Sequence, residues 1–297
     1  MTSTTDETQD AGWRGKFAGF ALGLALFSVL WFAAAAIGTK LGLWGWQFGL
    51  GKMMGNVSAG YGRYVIIAAA TASVAALIVS LIAAPRKRAL MMSLAAILIM
   101  LMVGFRWMGF QLKALQLPPI HEVQTDWDNP IRPSQALLDA RAATKALNPV
   151  EDAPRVPDVP GITKNWPGTG GRLVSELQEG AEYDPATQKS AKQAPYPALD
   201  TLVVPAASYD MAFNAALEAV KARGWTIVTN DIQSGSIEAT QASFWFDFKD
   251  DVLIRVTPDG EGSRIDVRSV SRVGLSDLGA NAKRVRDLLD EIEVRLN

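Results

Sequence analysis

The stretch VIIAAATASVAALIVSLIAAPRKRALMMSLAAILIMLMVGFRWMGF, residues 65–110, decides the class of the N-terminal region. It holds two apolar runs, Val65 to Ala84 and Ala89 to about Phe110, each reaching the roughly 20 residues a helix needs to cross a bilayer core. Between them Pro85-Arg86-Lys87-Arg88 forces a tight, strongly basic turn. A third run of similar length, Phe17 to Ile37, precedes both. Arg106 sits near the end of its run, where a long side chain can snorkel to the headgroups. From Ala11 to His121 there is no acidic residue, and the runs hold no histidine. Transport uses ionisable groups or broken helices inside the spans. The three helices therefore read as an anchor, with the lipid bilayer as their partner.

Basic residues of short loops stay in the cytoplasm. The Pro85–Arg88 turn, with Arg14 and Lys16, places residues 1–15 there as a tail. Three spans then put everything after residue 113 outside the cytoplasm, which in a Gram-negative cell is the periplasmic side of the inner membrane. The opposing loop carries Lys40, Lys52 and Arg63. A cleaved signal peptide over Phe17 to Ile37 fits poorly. Asp6, Glu7 and Asp10 precede it, and it exceeds the usual apolar length of about 7–15 residues. Gly15, Gly19 and Gly23 share one helix face and permit close helix approach, within the chain or between two copies. Trp44, Trp46 and Phe48 mark the first loop as interfacial.

Charge changes sharply along the chain. Residues 1–113 carry 10 Lys and Arg against 3 Asp and Glu; residues 114–297 carry 19 against 27. The acidic second part argues against nucleic acid, whose phosphates are held by clustered Lys and Arg. The chain has no cysteine, which excludes disulfides, thiolate metal sites and cysteine nucleophiles.

Pro118-Pro119 breaks the third helix. Residues 114–198 then read as an extended Pro- and Gly-rich arm with one helix, Ser134 to Leu147, and residues 199–297 as an α+β domain. A short strand, Thr201 to Val204, leads to a helix capped by Ser208 and ended at Gly224. Four strands follow: Trp225 to Asp231, Ser236 to Phe246, Val252 to Pro258 and Ser263 to Ser271. Turns are expected at Ser234-Gly235, Asp250-Asp251 and Asp259-Gly260, giving an antiparallel meander. A last helix from near Leu278 carries the stripe Leu278, Ala282, Val285, Leu289, Ile292 and Leu296. The expected fold is three membrane-spanning helices plus an antiparallel sheet with two helices packed on one face.

Three motifs stand out in this part: Ile120-His121-Glu122-Val123-Gln124-Thr125-Asp126 with Asn129-Pro130; Phe248-Lys249-Asp250-Asp251-Val252 with Arg255; and Asp266-Val267-Arg268-Ser269 leading through Ser271-Arg272-Val273-Gly274-Leu275-Ser276-Asp277-Leu278-Gly279-Ala280-Asn281. Together they resemble the domain of unknown function 1499 family over about residues 118–297, here behind three transmembrane helices. The resemblance implies the fold and no activity.

Strand alternation sets Glu238, Arg255, Asp266 and Arg268 on the face opposite Ile237, Ile254, Ile265 and Val267. Two readings stand open. Cross-strand Arg–carboxylate pairs there are ordinary sheet stabilisation. Alternatively Asp250, Asp251, Arg255, Arg268 and Arg272 form a surface for a polar ligand or partner, since Arg suits bidentate carboxylate or phosphate recognition. Asp277, Gly279 and Asn281 are structural residues at the start of the last helix, Asp277 as its N-cap. His121, the sole histidine, has acidic neighbours but no ligand pattern of a metal site. No nucleophile elbow, zinc-protease motif or dinucleotide fingerprint occurs, and no cofactor is expected. The reading is a non-catalytic extracytoplasmic module that binds a protein or another envelope component. The alternative is a membrane-tethered hydrolase using the Asp250-Asp251 turn with Arg255 or Arg272.

Overall fold

The computed structural model describes residues 12–55, 60–82, 87–160, 166–179 and 199–297. The chain divides into two units, Met1–Gln111 and Leu112–Asn297. Helices α1 (Trp13–Lys40), α2 (Tyr61–Ile82) and α3 (Lys87–Gln116) are each long and apolar enough to cross a membrane. In lipid, helices associate by close van der Waals contact, which small residues allow. Ala18, Ala21, Ala76 and Ala89 form one buried cluster; Ala25, Ala69, Ala96 and Met100 form another. Buried Ser73, Ser80 and Ser93 return their hydroxyls to the carbonyls four residues earlier, and Ser80 also bonds Ser93 across α2 and α3 at 3.1 Å. At Gly19 an added Cβ would stand 3.0 Å from Met92 Cε, so close approach there is intramolecular, whereas the Gly23 position meets nothing within 4 Å. The first loop contains a π-helical segment, Gln47–Gly55. Pro85 and Arg86 of the basic turn, and residues 1–11 of the tail, lie outside the described residues.

The second unit contains β1 (Glu122–Gln124), α4 (Gln135–Ala143), α5 (Val174–Gln178), β2 (Leu202–Val204), α6 (Tyr209–Ala222), β3 (Thr226–Asp231), β4 (Ser236–Ala242), β5 (Lys249–Asp259), β6 (Gly262–Ser271) and α7 (Ala280–Leu296). Strands β3 to β6 form the expected antiparallel meander. The other edge of β6 is taken by β1 along Arg268–Val270 and by β2 along Ser263–Ile265. Ser208 caps α6 through Met211 N–H, and Gly224, at φ +67, follows its end. Helices α6 and α7 bury their stripes on one sheet face: Phe213, Ala216 and Val220, with Val285, Leu288 and Ile292, meet Ile237, Val252, Ile254, Val256, Ile265 and Val267. Each large aliphatic side chain buried this way stabilises by about 1.5–3 kcal/mol.

The structure corrects three local expectations. Asp250 and Asp251 are not in a turn; both lie within β5, paired with Ser271 and Val270 of β6. The turn comes earlier, where Ser243 N–H reaches Phe248 O at 2.8 Å and Phe248 N–H reaches Ser243 Oγ at 2.9 Å. Adjacent acids are tolerated in the strand because each meets an arginine. The last helix starts at Ala280 rather than near Leu278, because Leu278 and Gly279 take φ +52 and +82, a hand that cannot continue a right-handed helix. Finally, the segment expected as an arm contributes to the sheet itself through β1, and its helix ends at Ala143, short of Leu147. Residues 161–165 and 180–198 of that segment lie outside the described residues.

Candidate functional site

The sheet face opposite α6 and α7 carries Glu122, Glu238, Asp251, Leu253, Arg255, Asp266, Arg268, Val270 and Arg272, as period-two alternation requires. This face is covered. Ile131 and Leu137 of the segment around α4 pack on Leu253, and the polar side chains around them are buried.

Arg268 has no exposed surface. Its Nε and Nη2 donate to Glu122 Oε2 at 2.9 and 2.5 Å, Nη1 to Ile131 O at 2.9 Å, and Nη2 also to Glu151 O at 2.6 Å. One guanidinium thus ties β6 to β1 and to both ends of the covering segment. Arg272 donates from Nε to Asp251 Oδ2 at 2.9 Å and from Nη2 to Asp251 Oδ1 at 2.7 Å and Thr240 Oγ1 at 2.9 Å. Its Nη1 reaches Ala140 O at 3.0 Å and Thr144 Oγ1 at 2.7 Å on α4. Arg141 of α4 donates to the same Asp251 from the other side, at 2.5 Å, and to Asn148 O. Burial holds the Arg141 pKa below its usual value, although the Asp251 charge and hydrogen bond oppose that shift. Glu238 accepts from Ser134 N–H at 2.6 Å and from the Ser134 hydroxyl, fixing the start of α4.

Arg255 lies nearer the surface. It donates to Asp266 Oδ2 at 2.9 Å, to Asp126 Oδ2 at 3.3 Å and to Asn129 O at 2.7 Å. Asp250 points to the opposite face from Asp251 and pairs with Arg284 of α7 at 2.5 Å. The five residues expected to share one surface are therefore divided among four pairings within the domain, on two sheet faces.

At the start of α7, Asp277 Oδ1 accepts from Gly279 N–H at 2.9 Å and Oδ2 from Asn281 N–H at 2.8 Å. The N-cap position itself is Gly279, in the left-handed conformation, with Asp277 two residues before it. Buried Asn281 donates to His121 O at 2.8 Å and Ser271 Oγ at 3.1 Å and accepts from Ser269 Oγ at 2.8 Å, locking α7 to β6 and to the entry of the chain.

His121 is buried and its two ring nitrogens have no hydrogen-bond partner among the described residues; its Nε2 lies 3.5 Å from Glu122 Oε1, which also has none among them. Burial, with the nearby Arg141 and Arg268 charges, lowers the His121 pKa to about 4, so the ring is neutral. Burial raises the Glu122 carboxyl above its usual value, against the pull of Arg268. Among the described residues no group of three or more His, Cys, Asp or Glu could hold a metal ion. Asp126, near His121 in the chain, instead closes a local turn by accepting from Asp128 and Asn129 N–H at 3.1 Å each. Two charged members of this layer lie outside the sequence expectation: Glu122, which stood only within the opening motif, and Arg141. The signal for Arg141 was a cation on a short helix in an otherwise aperiodic segment.

Three helices of membrane-spanning length and apolarity, followed by an antiparallel sheet with two helices on one face and a largely buried ionic layer on the other, define a chain of candidate membrane helices bearing an α+β domain. Residues 174–292, from α5 to near the end of α7, match the family "Protein of unknown function (DUF1499)". The opening motif at Ile120–Asp126 precedes the matched residues, although β1 within it is part of the same sheet. Comparison with curated proteins gives no match.

Proposed function

We propose that the protein is a non-catalytic module of the cell envelope: an inner-membrane anchor that presents a rigid α+β domain outside the cytoplasm, where it binds a partner protein or another envelope component. The observation that carries this reading is the inward use of the signature charges. Arg268, Arg272, Arg284 and Arg141 each close a buried ion pair that fastens one element to another, which is the construction of a stiff platform. The hydrolase reading needs Asp250 and Asp251 to converge, and these side chains lie on opposite sheet faces. The acidic balance after residue 113 supports a partner with neutral or basic surface groups. The basic residues Arg86, Lys87 and Arg88 in the short connection between the second and third apolar runs support the orientation.

Two experiments test the proposal. A reporter active only outside the cytoplasm should be active when fused after Asn297 and inactive when fused after Arg88; the reverse overturns the orientation. Photocrosslinkers at exposed positions of α6 and α7, used in native membranes, should capture a discrete envelope protein or polymer. Capture of nothing but neighbouring lipid at every position would remove the binding role.

A further inference from the structure

The β4–β5 hairpin ends in Ser243-Phe244-Trp245-Phe246-Asp247-Phe248, four aromatic rings within six residues. Phe244 is 73% exposed and Trp245 57%. Their rings meet edge-on at 5.1 Å, while Phe246 and Phe248 stack behind them at 5.2 Å. Aromatic surface of this size is unusual on the outside of a soluble domain and marks a contact with something apolar.

Strand register shows where the tip lies. Ala242 pairs with Lys249, Asp250 pairs with Ser271, and Ser271 N–H donates to His121 O at 2.9 Å. The tip therefore projects from the end of the sheet at which the chain arrives through Leu117–Ile120 after α3; the turn at Gly260 lies at the opposite end. Two further exposed apolar residues share the tip's end. Leu147 is held there by its N–H to Arg272 O at 2.8 Å, and Leu275 follows Gly274, whose carbonyl accepts from Asn148.

Chain length limits how far this end can be from lipid. The apolar run of α3 ends near Phe110, the helix closes at Gln116, and Ile120 is already buried in the domain core. At 1.5 Å per helical residue and about 3.3 Å per extended one, residues 110–120 reach at most about 22 Å. Trp settles at the headgroup boundary, where the indole N–H stays hydrated and the ring is apolar, and a neighbouring Phe adds apolar surface for the acyl side of that boundary.

We propose that the Phe244–Trp245 tip inserts into the interfacial layer of the bilayer that α3 crosses, so that the domain holds the membrane by a reversible contact as well as by its covalent tether. The proposal does not depend on which side of the membrane the domain occupies.

The chain contains no cysteine, so one introduced thiol labels one position. Full-length protein carrying Trp245→Cys, and separately Phe244→Cys, is labelled with an environment-sensitive fluorophore and placed in lipid nanodiscs. Glu261→Cys, at the opposite end of the sheet, is the reference. The expected result is several-fold stronger quenching at 245 and 244 than at 261 by spin-labelled lipid carrying its label near the headgroup, and several-fold weaker quenching by aqueous iodide. Equal iodide quenching at all three positions, with no effect of the lipid quencher, would overturn the proposal. So would a tip shielded from both quenchers, which would mean that protein covers it.

Discussion

Arg268 on β6 and Glu122 on β1 form an ion pair at 2.5 Å in which neither side chain has any exposed surface. The two residues are 146 positions apart, and the same guanidinium also holds the carbonyls of Ile131 and Glu151. This pair is the joint between the entering chain, the edge of the sheet and the segment that covers its polar face. A buried pair seldom adds net stability over an apolar replacement, but breaking one leaves a charge stranded.

Arg268→Ala is therefore expected to destabilise the domain by about 3–5 kcal/mol, measured by chemical denaturation of the full-length protein in detergent. The joint change Arg268→Met with Glu122→Leu should recover most of that loss, because it removes both charges. A single variant that melts like the parent would show that the pair is not a joint.

Arg272 and Arg255 should differ although both are signature arginines. Arg272→Ala leaves buried Asp251 with Arg141 and the Thr240 hydroxyl and removes two bonds to the C-terminal end of α4, so a loss of about 3 kcal/mol is expected. Arg255→Ala affects a partly exposed group whose partner Asp266 keeps hydroxyl donors from Thr125 and Thr201, so the loss should be about 1 kcal/mol. Equal effects at the two positions would contradict the burial difference between them.

At the start of α7, Asp277→Ala removes the acceptor for Gly279 and Asn281 N–H and should cost about 0.5–2 kcal/mol. Gly279→Ala should cost about 1–2 kcal/mol for a separate reason: at φ +82 a Cβ is strained, and it would also stand 3.0 Å from Leu117 Cδ1. Thermal melts of the two variants, each read against the parent, check both.

His121 predicts a pH dependence whose sign is fixed by its lowered pKa of about 4, below the ordinary 6.5. Between those values the unfolded chain takes up a proton that the folded chain refuses. Stability from this group is thus fully present above pH 6.5 and is lost as pH falls towards 4, by about 3 kcal/mol in all. The raised carboxyl of Glu122 acts in the opposite sense, losing stability as pH rises through its folded value. The difference between wild type and His121→Gln isolates the histidine, and the ring C–H resonances of this sole histidine should titrate near 4 in NMR. Titration near 6.5 in the folded protein would contradict the burial.

Much of this architecture is legible without coordinates, because it follows from one-dimensional periods. Apolar runs as long as a bilayer is thick read out the three helices, and alternation along β4, β5 and β6 reads out which residues face α6 and α7. The start of α6 at Ser208 and its end before Gly224 are equally local, set by a side-chain acceptor and a residue that tolerates positive φ. What lies against the other face is not local. Arg141 meets Asp251 across 110 residues and Arg268 meets Glu122 across 146, through a Pro- and Gly-rich segment without hydrophobic period. The same charges on the same strand face would serve as an open ligand surface if solvated and as internal fastenings if covered. Only tertiary closure decided between these, because alternation assigns a side chain to a face, whereas burial depends on which distant segment folds over it.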